Sequence, residues 1–156
     1  MKESTMANNA ATEEEKKFIL SKVPQQKPFR FIEDILELTE NHIVSQYRYK
    51  EDEYFYDGHF PGNPVTPGVI MIETMAQAGL VAMGIYLLMK DDKLDDSIML
   101  FSDSEVEFSN MVKPGELITV RAEKIFYRRK KLKAKVELTK ENGEVAAAGV
   151  MSGILQ

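Results

Sequence analysis

The chain of 156 residues contains no cysteine. Disulfides and thiolate metal sites are therefore excluded, and a reducing compartment is permitted. Histidine is nearly as scarce: only His42 and His59 occur, far apart in sequence. That is too few for a histidine-rich centre, and no metal is expected. Positive charge is in deficit. A formal net charge of −5 argues against nucleic acid as a partner, because binding phosphates calls for clustered cations. Long unbroken apolar runs are missing as well. The apolar run from Val69 to Met89 is interrupted by Glu73, Gln77 and glycines, so no membrane span is expected. Met1 to Lys17 is polar and charged, without an apolar signal region. There is no internal repeat and no linker to a second domain. These absences leave a soluble cytoplasmic protein as the expectation, with one domain large enough to bury about 70% of its unfolded surface.

Residues 1 to 12 are small and polar without periodicity and read as a disordered tail ahead of a domain at 13 to 156. Thr12 caps a short helix with Glu13 to Glu15 in its first turn, where negative charge is favoured, and that helix ends before Pro24. Phe29 to Thr39 reads as a strand of mixed pattern. Ile43 to Tyr49 alternates cleanly, with Ile43, Ser45, Tyr47 and Tyr49 on one face. Prolines 61, 64 and 67 forbid regular structure. A helix starts near Gly68 and runs to about Lys90, apolar on nearly every face, so it has to be buried all round. Strands follow at Ser97 to Phe108, Leu117 to Tyr127, Lys131 to Thr139 and Val145 to Ile154. Turns fall at Pro114-Gly115 and Asn142-Gly143. Two strands, a buried helix and four strands predict an α+β fold, an antiparallel sheet around one helix. The sheet alone does not cover so apolar a helix, so at least a dimer is expected.

The stretch Gly58 to Gln77, GHFPGNPVTPGVIMIETMAQ, carries the chemistry. His59 stands on a loop, and an imidazole is able to take and return a proton. A lone histidine beside prolines is more often structural, and that reading stays open at this point. Glu73 lies among Met71, Ile72, Met75 and Ala76, where burial raises a carboxyl pKa and keeps the group protonated as an acid. Gln77, at i+4, is placed to hydrogen-bond and orient it; the bland alternative is a packing amide. Gly68 sets a bare backbone N–H at the helix start, where partial positive charge gathers. A base, an acid and a carbonyl-polarising dipole suffice for an elimination.

The same stretch resembles a known family. His59-Phe60-Pro61-Gly62, Pro64, Pro67-Gly68-Val69, Glu73, Ala76 and Gln77 match the register H-F-P-G-x-P-x-x-P-G-V followed by E-x-x-A-Q. This is similar to the hotdog-fold 3-hydroxyacyl-acyl-carrier-protein dehydratases of fatty-acid elongation. Pro28-Phe29-Arg30-Phe31 with Asp34-Ile35 resembles the family's first strand. Val112-Lys113-Pro114-Gly115-Glu116-Leu117 resembles its V-x-P-G-D-x-L turn. The resemblance implies a single hotdog domain in a dimer or an assembly of dimers, with His59 of one chain facing Glu73 of the other. It implies His59 as general base on the α-carbon, Glu73 as general acid to the β-hydroxyl, and the Gly68 N–H on the thioester carbonyl. It implies a phosphopantetheine-linked acyl carrier protein substrate and no cofactor. Isomerising relatives carry Asp where Glu73 stands, so simple dehydration is favoured. Pro24-Gln25-Gln26 departs from the family's P-H-R, and Thr66 stands where a larger apolar residue is common. Competing readings are a hotdog acyl thioesterase, whose histidine would be dispensable, and a non-catalytic structural partner in a synthase complex.

Arg128 to Lys135 holds the chain's only basic run. On one strand Arg129, Lys131, Lys133 and Lys135 would share a face. Two uses are open: a solvated hairpin or edge strand kept from aggregating by its lysines, and a docking patch for an acidic carrier. Glu105 to Asn110, where relatives often carry basic residues, is acidic or neutral here.

Overall fold

A helix without a polar face needs cover on every side, and the computed structural model, which describes residues 10 to 156, provides most of it. The helix α2 (Gly68–Lys90) lies against a six-stranded antiparallel sheet formed by β1 (Asp34–Leu38), β2 (His42–Arg48), β3 (Met99–Phe108), β4 (Leu117–Arg128), β5 (Lys131–Lys140) and β6 (Val145–Leu155). The strand order is β1-β2-β4-β5-β6-β3, so β1 and β3 form the edges. The middle of α2 touches β2, β3, β4, β5 and β6, as expected for a sheet wrapped around a helix. A shorter helix, α1 (Glu13–Lys22), packs on the C-terminal half of α2 and buries Ile19 completely.

Local chemistry explains the ends of these elements. Thr12 and Glu15 form a reciprocal capping box at the start of α1, each side chain accepting from the other's backbone N–H. The Arg30 guanidinium closes the other end by donating to the carbonyls of Leu20, Val23 and Gln25. Of the tail expected at residues 1 to 12, positions 1 to 9 lie outside the described residues. Ala11 is buried and its N–H donates to Leu38 O at 2.8 Å. The face expected in β2 is present, with Ile43, Ser45, Tyr47 and Tyr49 all buried, but Val44 on the other face is buried as well. Gly143 turns β5 into β6 at φ 89°, where a glycine is favoured.

Three expectations need correction. The first strand runs only from Asp34 to Leu38, not from Phe29, because Phe29 and Phe31 direct backbone groups to the Gln77 side chain rather than to a neighbouring strand. The basic run does not share one face. Arg129 and Lys130 form the turn between β4 and β5 with φ 51° and 65°, so Arg129 does not share a strand face with Lys131, Lys133 and Lys135. The helix α2 is also long and apolar enough to cross a membrane, at 23 residues; what marks it as a core element is that 78% of its apolar window is buried inside the fold.

The helix is not uniform. Ala76–Val81 is a π segment, with the Ala82 N–H donating to Gln77 O. Such widening displaces carbonyls from the regular ladder. Buried Ser45 on β2 donates to one of them, Ala78 O, at 2.7 Å. Gly79 permits close approach to the sheet, since a Cβ there would lie 3.2 Å from Ala122 Cβ.

The tightest backbone approach is between β6 and β3. A Cβ on Gly149 would lie 1.9 Å from the Glu105 carbonyl oxygen. Backbone cannot swing aside as a side chain does, so Gly149→Ala is expected to destabilise the fold at the upper end of about 1–3 kcal/mol, as overpacking does. Gly58→Ala, whose Cβ meets nothing within 4 Å, is expected to change stability by less than about 0.5 kcal/mol. Urea denaturation of both variants checks this, and equal midpoints would contradict it.

Candidate active site

The loop before α2 holds His59 through a closed set of backbone bonds. Its ring Nδ1 lies 2.8 Å from Val65 O, and the Val65 N–H donates back to His59 O at 2.8 Å. Phe60 and Asn63 exchange backbone bonds across the turn, where Gly62 takes φ 75°. The loop is anchored by Thr66 N–H to Val112 O and by Tyr56 hydroxyl to Thr66 Oγ1 at 2.6 Å. The Phe60 ring stacks on the imidazole with centroids 4.2 Å apart. A carbonyl only accepts, so Nδ1 carries the proton and donates to Val65. In the neutral ring Nε2 is therefore the lone-pair nitrogen, fixed in direction and ready to act as a base.

Glu73 is held differently. It is half-buried one turn before Gln77, whose Nε2 donates to Glu73 Oε2 at 2.8 Å, the i+4 bond that the spacing predicts. The Gln77 amide is itself fixed. Its Oε1 accepts the Phe31 N–H at 2.7 Å and its Nε2 also donates to Phe29 O at 2.9 Å. Burial of Glu73 pushes its carboxyl above the ordinary glutamate range, and the Gln77 bond offsets part of that rise. A carboxyl so placed retains its proton more readily than a surface glutamate.

Gly68 is the first residue of α2, preceded by Pro67. The first N–H groups of a helix have no intrahelical partner and carry partial positive charge. A Cβ at Gly68 would lie 3.0 Å from the Phe108 ring, so the glycine also keeps this helix end close to β3.

Within one chain these parts fall into two groups. His59 and Gly68 line a cavity of about 380 Å³ with Thr66, Met71 and Phe108. Glu73 lines another of about 200 Å³ with Ala76, Leu80, Val81 and Met99. Glu73, Ala76 and Leu80 recur at helical spacing on one face of α2, while Gly68 and Met71 belong to another. His59 and Gly68 are thus on one side of the helix and Glu73 is on the other. Two larger cavities, of about 530 and 610 Å³, contain none of these residues.

The basic residues lie on the interior strand β5 and on the turn before it. Lys131, Lys133 and Lys135 alternate with buried Leu132, Ala134 and Val136, so they face away from α2. Lys131 Nζ lies 3.5 Å from Asp103. Arg129 and Lys130, on the turn, border a cleft with Asp91 and Asp95. Three contributors were not legible in the sequence: the Val65 carbonyl that sets the His59 tautomer, the Phe29 and Phe31 backbone groups that hold Gln77, and the Phe108 ring against Gly68. Backbone atoms leave no residue-type signal, and Phe108 is distant in sequence.

The FabA-like domain model matches residues 23–149. The 3-hydroxyacyl-[acyl-carrier-protein] dehydratase FabZ of Caldicellulosiruptor bescii is 34% identical over 132 residues, 84% of this chain and 91% of that protein. Its counterpart of the same name from Streptococcus pyogenes is 30% identical over 135 residues, covering 86% of this chain and 93% of the relative. Among solved structures, the dehydratase heterocomplex ApeI:P from Xenorhabdus doucetiae aligns with TM-score 0.73 at 19% identity, over 88% of this chain and 90% of that one. A hypothetical thioesterase with coenzyme A from Streptococcus pneumoniae aligns at TM-score 0.57 and 14% identity, over 79% and 84%. At such identities the solved structures bear on the fold alone, and they place it among hotdog proteins.

The Glu73 carboxyl has a pH consequence. Unfolded, it titrates near the ordinary value of 4.5; folded, it titrates higher. Between the two the folded state binds more protons, so its contribution to stability is present at low pH and is lost as pH rises through that window. Glu73→Gln lacks this loss. Its stability relative to wild type is expected to increase as pH rises from below 4.5 towards neutrality. Urea midpoints across that range measure it, and a constant or shrinking difference would contradict the assignment.

Proposed function

The chain belongs to the FabA-like family, and from that premise we propose that it dehydrates a 3-hydroxyacyl thioester, carried on acyl carrier protein, to the trans-2-enoyl thioester of fatty-acid or related acyl-chain synthesis. The observation that carries this reading is the fixed tautomer of His59, which directs a basic Nε2 from the loop that also opens α2.

The reaction needs only proton transfer and an electron pair that stays on carbon. His59 Nε2 takes the α-proton as the Gly68 N–H polarises the thioester carbonyl. The C–H electrons form the α–β double bond, the β-carbon–oxygen bond breaks, and the hydroxyl leaves as water with the Glu73 proton. The imidazolium then loses a proton and the carboxylate regains one. Gln77 orients the acid. A backbone donor of the Gly68 kind contributes about 10²- to 10³-fold, and an acid or base about 10²- to 10⁴-fold. No cofactor takes part.

The separation of base from acid within one chain supports a site shared between two copies, with His59 of one facing Glu73 of the partner. Edge strand β3 supports the same assembly. It pairs only with β6, and it carries exposed Leu100, Phe101 and Phe108, with Val69 exposed nearby at 74%. An unpaired edge that exposes such side chains is a template for pairing with a second chain. The working unit is a dimer or an assembly of dimers, in the cytoplasm.

The test is subunit mixing. His59→Ala and Glu73→Gln are each expected to lose about 10²- to 10⁴-fold in enoyl formation, followed by absorbance. Exchanged together, they are expected to recover part of the activity, because some mixed dimers hold one intact site. Absence of recovery after proven exchange would refute the shared site. Release of free thiol without enoyl would identify a thioesterase instead.

The carrier docks on Arg129, Lys131, Lys133 and Lys135. Lys131 is partly engaged by Asp103, so Arg129 and Lys133 are the better probes. Reversing both to glutamate is expected to slow turnover of carrier-linked substrate several-fold, and raised salt is expected to slow wild type in the same way. Turnover of a pantetheine thioester is expected to stay level. Equal loss on both substrates, or loss on neither, would leave these residues as a solvated strand face.

A further inference from the structure

The peptide unit between Val65 and Thr66 is held at both ends. Its carbonyl oxygen lies 2.8 Å from His59 Nδ1, and its N–H donates to Val112 O at 2.8 Å. A peptide unit is planar, so the two bonds act on one rigid group. Whatever fixes the Thr66 N–H also aims the Val65 carbonyl at the imidazole. Val112 is completely buried ahead of β4 and gives that plane an anchor in the fold.

A third tie reaches the same plane through a side chain. Thr66 Oγ1 lies 2.6 Å from the Tyr56 hydroxyl, and both residues are buried. Threonine is branched at Cβ and stiff about χ1, so holding its hydroxyl also holds its backbone. Tyr56 belongs to the short 3₁₀ turn Tyr54–Asp57, just before the His59 loop. Its ring packs edge-on against Phe55, and Phe55 packs in the same way on the completely buried Phe31. The hydroxyl pair therefore joins the entry of the loop to its exit. Thr66 is also where the chain departs from the larger apolar residue common in the family motif, so the motif itself does not supply this bond.

We propose that the Tyr56–Thr66 hydroxyl pair positions His59, through the Val65–Thr66 peptide plane, in the tautomer that leaves Nε2 basic. This rests on the reading of His59 as the base of the dehydration. Tyr56 and Thr66 are positioning residues, and their role requires no contact with substrate. Without the pair the plane is free to rock about its bond to Val112, and the Nδ1 donation to Val65 weakens. The neutral ring is then able to carry its proton on Nε2, where it cannot accept the α-proton. A histidine in the wrong tautomer loses most of its catalytic effect.

The experiment compares wild type with Thr66→Val, Tyr56→Phe, the double variant and Thr66→Ser, which keeps the hydroxyl. The chain has only two histidines, so ¹⁵N-labelled imidazoles give two sets of signals, and the set missing from His59→Ala is the one to follow. At a pH where the rings are neutral, wild type is expected to show His59 protonated on Nδ1 alone. Thr66→Val, Tyr56→Phe and the double variant are expected to show both tautomers. Their kcat on a 3-hydroxyacyl pantetheine thioester is expected to fall about ten-fold, part of the about 10²- to 10⁴-fold that a base contributes, with KM within about two-fold. Thr66→Ser is expected to restore both readouts. Each single removal leaves one buried hydroxyl unpaired and the double removal leaves none. The urea midpoint is therefore expected to recover in the double variant while kcat and the tautomer do not. Thr74→Val breaks a second buried hydroxyl pair, Tyr49 with Thr74 at 2.6 Å, and is expected to lower the midpoint with the His59 tautomer unchanged. A pure Nδ1–H tautomer in Thr66→Val would overturn the proposal. So would a kcat that returns with the midpoint in the double variant, or mixed tautomers in Thr74→Val. Should Thr66→Val fail to fold, Tyr56→Phe breaks the same bond from the other side and is read in the same way. Absence of enoyl from wild type would refute the dehydratase reading, while the tautomer would still decide the role of the pair.

Discussion

Everything in this structure answers to the burial of α2. At 23 residues it is long and apolar enough to cross a bilayer, yet 78% of its apolar window is covered by protein. Each fully buried large apolar side chain contributes about 1.5–3 kcal/mol relative to exposure, so the strands are held in place chiefly by what they cover. The sheet wraps the middle of the helix and α1 covers its C-terminal half. What remains is the side towards β3, with Val69, Leu100, Phe101 and Phe108 still exposed. Among the described residues no further element covers that side, and the assembly proposed above would answer the same demand that shapes the fold.

The helix also divides the chemistry. It presents Gly68 to the cavity shared with His59 and Glu73 to the other. Residues at different angular positions on one helix cannot converge on one small group. In the proposed dimer a second copy would bring its own loop to the opposite face. Desolvation then has a use. The environment that lifts the Glu73 carboxyl is the apolar cavity wall, and the Gln77 amide stops the carboxyl from turning away. Gln77 is completely buried and engages Phe29, Phe31 and Glu73 together. A buried polar group is costly unless paired; here the pairing also ties the chain before β1 to the helix, so the orientation of the acid and the packing of that segment are one arrangement.

The sequence disclosed a good deal of this and failed at identifiable places. Alternation in β2, the extent of α2 and the turn at Asn142-Gly143 were readable because side-chain period and turn residues are written in residue types. The capping box was half readable, from Thr12 and the acidic residues that follow it. The shortness of β1 was not, because Phe29 to Phe31 has strand composition and only its three-dimensional partner, Gln77, shows where its backbone bonds go. The break between Tyr127 and Lys131 was readable, but the positive φ of Arg129 and Lys130, which takes Arg129 off the strand face, was not, since neither residue is one that favours it. Of the site, His59, Glu73, Gln77 and Gly68 were all legible as residue types. The Val65 carbonyl that decides which imidazole nitrogen is basic was not, because any residue supplies a carbonyl.

Glycines in α2 do two different jobs. Each lowers helix propensity by about 1 kcal/mol relative to alanine, so each position needs a reason. Gly79 has a packing reason: the sheet comes so near that a methyl would press on Ala122 at 3.2 Å. Gly84 has no comparable backbone or strand contact. Its near neighbour is the movable tip of Met99, and the next, Leu132 Cδ2, is 3.9 Å away. Alanine there would improve the helix and ask only a flexible thioether to move. A residue retained at that cost without a rigid neighbour is better explained by the space it keeps than by the contact it makes. In this helix the small residues therefore meet two demands, close approach to the sheet at Gly79 and room for the Met99 thioether at Gly84.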